Sequence, residues 1–431
     1  MAGKVDSMDV VVIGGGWAGC AAAFMAAKQG ARTVLVERTD MLLGTGLVGG
    51  IMRNNGRFTA TEELLAMGGG EIFSLVDQNL LHRNIDFPGH AHASLYNVAS
   101  MEPSIRNFLK AAGVEIKLCH RITDVERQGK SISAVSGTTF KEPFRLEAQA
   151  FVDTTGTAGG PAACNKYGSG CAMCILRCHT FGARVSVAGK AGVVEMVGKK
   201  PGQTGAMSGS CKLHKESLSP EIRNQLDREG LALIPIPEGL QSRGKLTMKA
   251  CQQYALDAFE KNIVLLDTGH AKLMTPFYPL DLLRQIPGFE QARYEDPYAG
   301  GVGNSIRYMA MAPRDDALGV TGLDNLFCAG EKAGLLVGHT EAICTGTLAG
   351  YNAARLGTQI PLVLPRETCI GDAVSHVREE MMDRGRLDLK FTFSGSVLFQ
   401  RMEEQGRYTT NIPAIRERVK GAGLENIFQP G

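Results

Sequence analysis

Asp9 to Ile13 is a short, apolar, β-branched run. It leads directly into Gly14, Gly15, Gly16, Trp17, Ala18 and Gly19, and then into the small-residue stretch Cys20 to Ala27. This order predicts a strand, a tight turn and a helix. The spacing of Gly14, Gly16 and Gly19 satisfies G-x-G-x-x-G: the first glycine permits the turn, the second lets a pyrophosphate approach the backbone, and the third allows close packing of helix on strand. Free N–H groups at the helix start, where Trp17 and Ala18 stand, would face the phosphates. A second strand, Thr33 to Val36, ends at Glu37, 18 residues beyond Gly19 and followed by Arg38, where a carboxylate can accept both hydrogen bonds of an adenosine ribose. The N-terminal region is therefore expected to be a dinucleotide-binding α/β unit.

Composition narrows the remaining choices. The chain has 431 residues, enough for two or three domains or for one large fold with an inserted lobe. Its 53 glycines follow no three-residue period and 44% of its residues are hydrophobic, so collagen-like and low-complexity readings fail. Lys plus Arg nearly balance Asp plus Glu, for a net charge of +2, which excludes nucleic-acid binding through overall charge. No apolar run reaches the roughly 18 residues of a membrane span, and the first residues lack a signal-peptide pattern. Eleven cysteines, an odd number, fit a reducing compartment. The chain reads as soluble and cytoplasmic, without membrane insertion.

The identity of the dinucleotide turns on the segments that follow. Met41 to Gly50 is rich in glycine and hydroxyl, with Gly44, Thr45 and Gly46 at its centre. On this loop, and on Gly113 to Asp124, Ala150 to Gly156 and Gly322 to Gly330, the sequence resembles the glutathione-reductase-like flavoproteins. The resemblance implies FAD. It places the backbone of Ile122 against the adenine, Thr155 and Gly156 in the turn after a buried strand, Gly330 against the ribityl chain and Glu331 where the family more often has Asp. Gly338, His339, Thr340 and Glu341 then open a helix whose positive end would face the flavin. Tyr298 to Tyr308 and Asn325 to Arg355 are further similar to flavoproteins that modify uridine in tRNA, although only a short tail follows here, with ten basic and ten acidic side chains over 366–431.

The expected fold class is α/β: a Rossmann-like FAD-binding domain with three layers and a parallel central sheet, an inserted α+β substrate lobe and a short helical C-terminal tail. The expected division is 1–160 for the first part of the FAD domain, 161–295 for the lobe, 296–357 for the closing part and 358–431 for the tail. Helices are expected at Ser219 to Glu229 and Thr247 to Lys261 in the lobe, and at Thr368 to Arg384, Ser396 to Gln405 and Pro413 to Lys420 in the tail.

Four cysteines, Cys164, Cys171, Cys174 and Cys178, fall within fifteen residues. Four thiolates can hold a 4Fe-4S cluster or zinc, with His179 as a substitute ligand. Two, such as Cys174 and Cys178, can form a redox disulfide or act as reactive thiols, and cysteines also serve as small core residues. The spacing matches no standard ferredoxin pattern in full, so the three readings stay open. Between Cys164 and Lys215 eight Lys or Arg stand against the single acid Glu195, an excess that would attract an anion. Arg177 and Arg184, set among apolar residues, are the better ligand-binding candidates of that group.

Arg53 and His339 are further candidates, for fixing a substrate carboxylate and for exchanging a proton. Asn54, His90 and His92 also come within reach of the cofactor loop. The expectation is an FAD-dependent oxidoreductase that transfers a hydride between flavin N5 and a small, anionic substrate, with RNA a less favoured partner and a homo-oligomer compatible. The alternatives are a folate-linked, uridine-modifying RNA flavoenzyme and an iron-sulfur electron-transfer subunit. The sequence does not define the electron donor or acceptor.

Overall fold

The structure, a computed structural model, describes residues 8–156, 185–198, 206–208, 211–241, 256–275, 278–295, 305–307 and 310–430. The chain runs β1 (Met8–Ile13), α1 (Trp17–Lys28), β2 (Thr33–Val36), α2 (Gly46–Gly49), β3 (Ile51–Met52), α3 (Gly56–Ala66), α4 (Glu71–Gln78), β4 (Leu80–Phe87), β5 (His90–Tyr96) and α5 (Val98–Ala111). Then come β6 (Glu115–Lys117), β7 (Arg121–Gln128), β8 (Ser131–Thr138), β9 (Pro143–Asp153), α6 (Val187–Lys190), β10 (Met196–Val197), β11 (Ala206–Ser208), β12 (Cys211–Leu213), α7 (Pro220–Glu229), β13 (Leu231–Pro235) and α8 (Asp257–Lys261). They are followed by β14 (Asn262–Asp267), β15 (Ala271–Leu273), α9 (Leu280–Leu283), β16 (Ser305–Arg307), β17 (Ala310–Met311), β18 (Leu326–Cys328), α10 (His339–Ala354), α11 (Cys369–Arg378), α12 (Ser396–Glu404) and α13 (Ile412–Gly421).

Val10, Val11 and Val12 have no exposed surface, as expected of a strand covered on both faces. β1 lies between β2 and β9, β6 extends the sheet beyond β2, and β18 joins the far side of β9, all in parallel. The register puts Ile13 beside both Val36 and Asp153, and Cys328 beside Asp153. The segments beginning at Gly14, Glu37, Thr154 and Ala329 therefore leave one carboxyl edge, the place where open α/β sheets bind ligands. The fold is mixed α/β with a parallel-rich central sheet, as the sequence predicts. The N-terminal half of β9 turns to antiparallel pairing with β8, and β8 pairs with β7, adding a meander to the same sheet.

α1 is so rich in alanine and glycine because it is buried between that sheet and α10. A side chain begun at Gly346 would run into the carbonyl of Ala18, and one at Gly350 into that of Ala22, so the two helices touch backbone to backbone. This fixes the start of α10 relative to the glycine turn.

Besides the two-stranded pairs β10–β17 and β11–β16, two larger antiparallel sheets stand apart from the central one among the described residues. β12, β15, β14 and β13 form a four-stranded sheet over a separate core that includes Leu213, Leu226, Leu265, Leu283 and Phe289. β3, β5 and β4 form a three-stranded sheet, and Ile51, Phe87 and Leu95 pack with Phe259, Val264 and Leu266 of the lobe. α7 begins with the Ser219 cap and a proline and ends at left-handed Gly230, the expected start and stop signals. The helix expected over 247–261 does not run through unbroken: Leu256 is extended and α8 starts afresh at Asp257, whereas 242–255 lie outside the described residues.

The tail docks on the cofactor domain. Met402, Val419 and Phe428 join the central core. The buried carboxylate of Glu63 on α3 accepts from the first N–H groups of α11, at 2.9 Å from Cys369 and 3.2 Å from Ile370, and pairs with Arg418 at 3.1 Å. Among the described residues no helix is long and apolar enough to cross a membrane.

Candidate functional site

The glycine turn is closed to side chains on one side and open on the other. At Gly14, with φ at +105°, a Cβ would lie 2.6 Å from the Thr154 carbonyl, and at Gly19 it would strike the carbonyl of Gly14. At Gly16, which caps α1, it would meet nothing within 4 Å, and at Gly44 it would meet just the Cα of Gly16 at 3.8 Å. The result is a trough floored by backbone, bridged where Leu43 N donates to Gly15 O at 2.7 Å. Glu37, at the end of β2, accepts from Gly15 N at 2.6 Å through Oε2 and from Thr39 N at 2.9 Å through Oε1. Arg38 beside it is half-buried. Ile122, 6% exposed, is the second residue of β7, just after His120 N donates to the backbone carbonyl of Glu37 at 3.0 Å, so the start of β7 runs beside the end of β2.

Across the edge, Asp153 Oδ1 accepts from Thr155 N at 3.1 Å and from its hydroxyl at 2.7 Å, ahead of left-handed Gly156. Its other oxygen accepts from Ala188 N at 3.2 Å. Gly330, φ +65°, donates to Thr345 Oγ1 at 2.9 Å, and a Cβ there would lie 2.9 Å from that of Ala18. Half-buried Glu331 follows. α10 begins at His339, with Gly338 as its cap, inside the Gly338–Glu341 stretch expected to open it. Buried Thr340 has its hydroxyl 3.8 Å from Met52 Sδ. The His339 ring rests on Gly49 and lies 6.4 Å from the Trp17 ring, and Tyr96, edge-on to Trp17, donates to Gly46 O at 3.0 Å. Trp17 is 2% exposed, and its Nε1 has no hydrogen-bond partner among the described residues.

The other candidates are placed as follows. Arg53 is buried, and its guanidinium is committed to Asp77, at 3.0 and 2.6 Å, and to Glu62 at 2.5 Å. Burial would lower its pKa, but the two carboxylates overcome that and raise it. His90 and His92 share β5 and serve different partners, Asn54 at 2.9 Å and Asn84 at 2.9 Å. Cys164, Cys171, Cys174, Cys178, His179, Arg177 and Arg184 lie outside the described residues. Among the described residues no group of three or more His, Cys, Asp or Glu could hold a metal ion. Burial pushes up the thiols of Cys20, Cys344 and Cys369, and that of Cys328 to about 12, so these four are core residues.

Two features escaped the sequence. Asn54 and Asn55, on the loop entering α3, and Arg57, in its first turn, form a polar hub: Arg57 pairs with Glu341, Asn54 joins Arg57 to His90, and Asn55 bonds Gly89, Ala91 and Ser394. Lys272, on β15 and 5% exposed, donates through Nζ to Val48 O on α2 at 2.5 Å. Next to it, fully buried Thr268 packs its side chain on Gly50, and His270 Nδ1 pairs with Glu295 at 3.0 Å. The tip of β14–β15 thus sits on the 44–50 segment, against which the His339 ring also packs.

Comparisons with known proteins agree with this geometry. Residues 9–160 match the family described as FAD dependent oxidoreductase, and residues 257–360 match Glucose inhibited division protein A. The chain is an FAD-dependent oxidoreductase of Rossmann-type fold. Within that class it is similar to GidA of Aquifex aeolicus. The form II crystal structure aligns at 18% identity and a TM-score of 0.65, over 98% of this chain and 72% of the other. The form I structure aligns at 17% and 0.64, over 98% and 77%. At these identities the likeness establishes the fold. The open trough over Gly16 and Gly44 and the Trp17 donor, without a hydrogen-bond partner among the described residues, fit a dinucleotide such as FAD.

Proposed function

We propose that this flavoenzyme oxidises or reduces a small anionic substrate beside the contact of the 44–50 loop with the tip of β14–β15, with 161–295 as the substrate lobe. FAD, when bound, supplies a two-electron acceptor or donor. The residues that would hold it follow the glutathione-reductase-like order: Gly14, Gly16, Trp17, Ala18 and Gly19 for the pyrophosphate, Glu37 and Arg38 for the ribose side, Gly44, Thr45 and Gly46 along the nucleotide and Ile122 at the adenine. Thr155, Gly156, Gly330 and Glu331 serve the ribityl side, and Gly338 and Thr340 serve the ring. Lys272 supplies the charge for the substrate's carboxylate or phosphate, and His339 holds or accepts a proton beside Gly49. The observation that carries this reading is the buried ammonium of Lys272, which the lobe delivers to the cofactor loop.

A second reading, modification of RNA uridine, is favoured by one observation. The match to Glucose inhibited division protein A begins at residue 257, inside the lobe, and not at the flavin-closing motif. Anaerobic titration of the FAD-loaded protein separates the two. Bleaching of the flavin by organic acids, with no salt-sensitive tRNA binding, supports the first reading, and tRNA binding that falls steeply with salt supports the second. Iron and sulfide analysis of anaerobically purified protein distinguishes a 4Fe-4S site at Cys164, Cys171, Cys174 and Cys178 from thiol chemistry at Cys174 and Cys178.

A further inference from the structure

Glu341 is the third residue of α10 and has no exposed surface. Its carboxylate accepts from Arg57 Nε at 3.1 and 3.2 Å, from Thr392 Oγ1 at 2.7 Å and from Phe393 N at 2.8 Å. Arg57, 5% exposed, also donates to Asn54 Oδ1 at 3.2 Å and Thr392 Oγ1 at 3.1 Å. The pair lies against Gly338, the residue that opens the helix: with φ at +146°, a Cβ there would run into Glu341 Oε2 and Arg57 Nη2. The trough side of this helix end carries the second mark of a ligand, the buried and unpartnered Trp17 Nε1 beside His339.

A carboxylate in the first turn of a helix offsets the positive end of its dipole. Left alone, Glu341 would cancel the charge that α10 presents to the cofactor, and a guanidinium left alone would exaggerate it. We propose that Arg57 and Glu341 form a charge-balanced pair that sets the reduction potential of the bound flavin by leaving the α10 dipole as the net field at its N-terminus. Both would act as positioning residues, through the start of α10 at Gly338. The inference rests on the FAD site described above, and a wild-type protein that takes up no FAD would remove that site, not this pairing alone.

The test is the midpoint potential of the FAD-loaded protein in wild type, Glu341→Gln and the double variant Arg57→Met/Glu341→Gln. Glu341→Gln removes the carboxylate that balances the permanent charge of Arg57, so the potential rises, since positive charge favours the reduced, anionic ring. The double variant removes both charges, and its potential returns to the wild-type value. A purely structural pair would lower FAD affinity and melting temperature without this signed shift and recovery. Glu341→Gln that binds FAD with an unchanged or lowered potential overturns the proposal. Where the single variant cannot be loaded, a double variant whose potential departs from wild type overturns it equally.

Discussion

Lys272 and Val48 are 224 residues apart and meet through one hydrogen bond, from the buried ammonium to the backbone carbonyl. The contact joins β15 to α2, and in the proposed function the same ammonium would meet the substrate's anionic group.

The close approaches of the glycines give the first prediction. Gly19→Ala drives a methyl group into the carbonyl of Gly14, and Gly346→Ala drives one into that of Ala18. Each should cost about 1–3 kcal/mol of stability or more, and Gly19→Ala should also lower the flavin-to-protein absorbance ratio. Gly239→Ala, which meets nothing within 4 Å, is the control and should leave both unchanged. Urea unfolding and absorbance spectra check all three.

Glu37→Gln keeps the shape of the side chain and removes its charge. Hydrogen bonds to charged groups contribute about 1.5–3 kcal/mol, so FAD affinity should fall by about 10- to 100-fold. Fluorescence titration of the apoprotein with FAD measures it. An unchanged affinity would place the ribose elsewhere.

Asp372 gives a prediction about pH. It is 1% exposed and pairs with Arg401 at 2.7 Å and Arg407 at 2.9 Å. Burial would lift its pKa, but the two arginines overcome this and hold it below the ordinary 3.8. A depressed carboxyl contributes stability that is full above its unfolded pKa and is lost as pH falls through its folded pKa. Asp372→Asn should therefore cost about 3–5 kcal/mol at pH 7. The gap from wild type should narrow as pH drops below 3.8, as followed by denaturant unfolding at each pH.

Burial and raised pKa values should protect Cys20, Cys328, Cys344 and Cys369 from alkylation in the native protein. Iodoacetamide labelling at neutral pH, read by mass spectrometry, should modify these four after unfolding in urea and not before. Labelling of any of them in the native state would contradict the packing.

What could be read from the sequence was local. Gly14 to Gly19, Glu37, the end of β9 and β18 are each encoded within a few residues, and parallel pairing brings them to one edge. The tail helices were legible because Thr368 and Asn411 are caps with short, regular amphipathic runs behind them. The pairs that shape the site are not local. Arg57 finds Glu341 across 284 residues, and nothing in the neighbourhood of either predicts the other. Arg53 looked available for a substrate because its partner Asp77 lies 24 residues away, on another helix.

The most direct test of the account is anaerobic reduction of FAD-loaded protein by small organic acids, in wild type and Lys272→Met. The account predicts that both retain FAD, that an anionic substrate bleaches the wild-type flavin, and that the variant needs a much higher concentration of the same substrate to reach a similar limiting rate. Reduction with identical concentration dependence in the two proteins would contradict it.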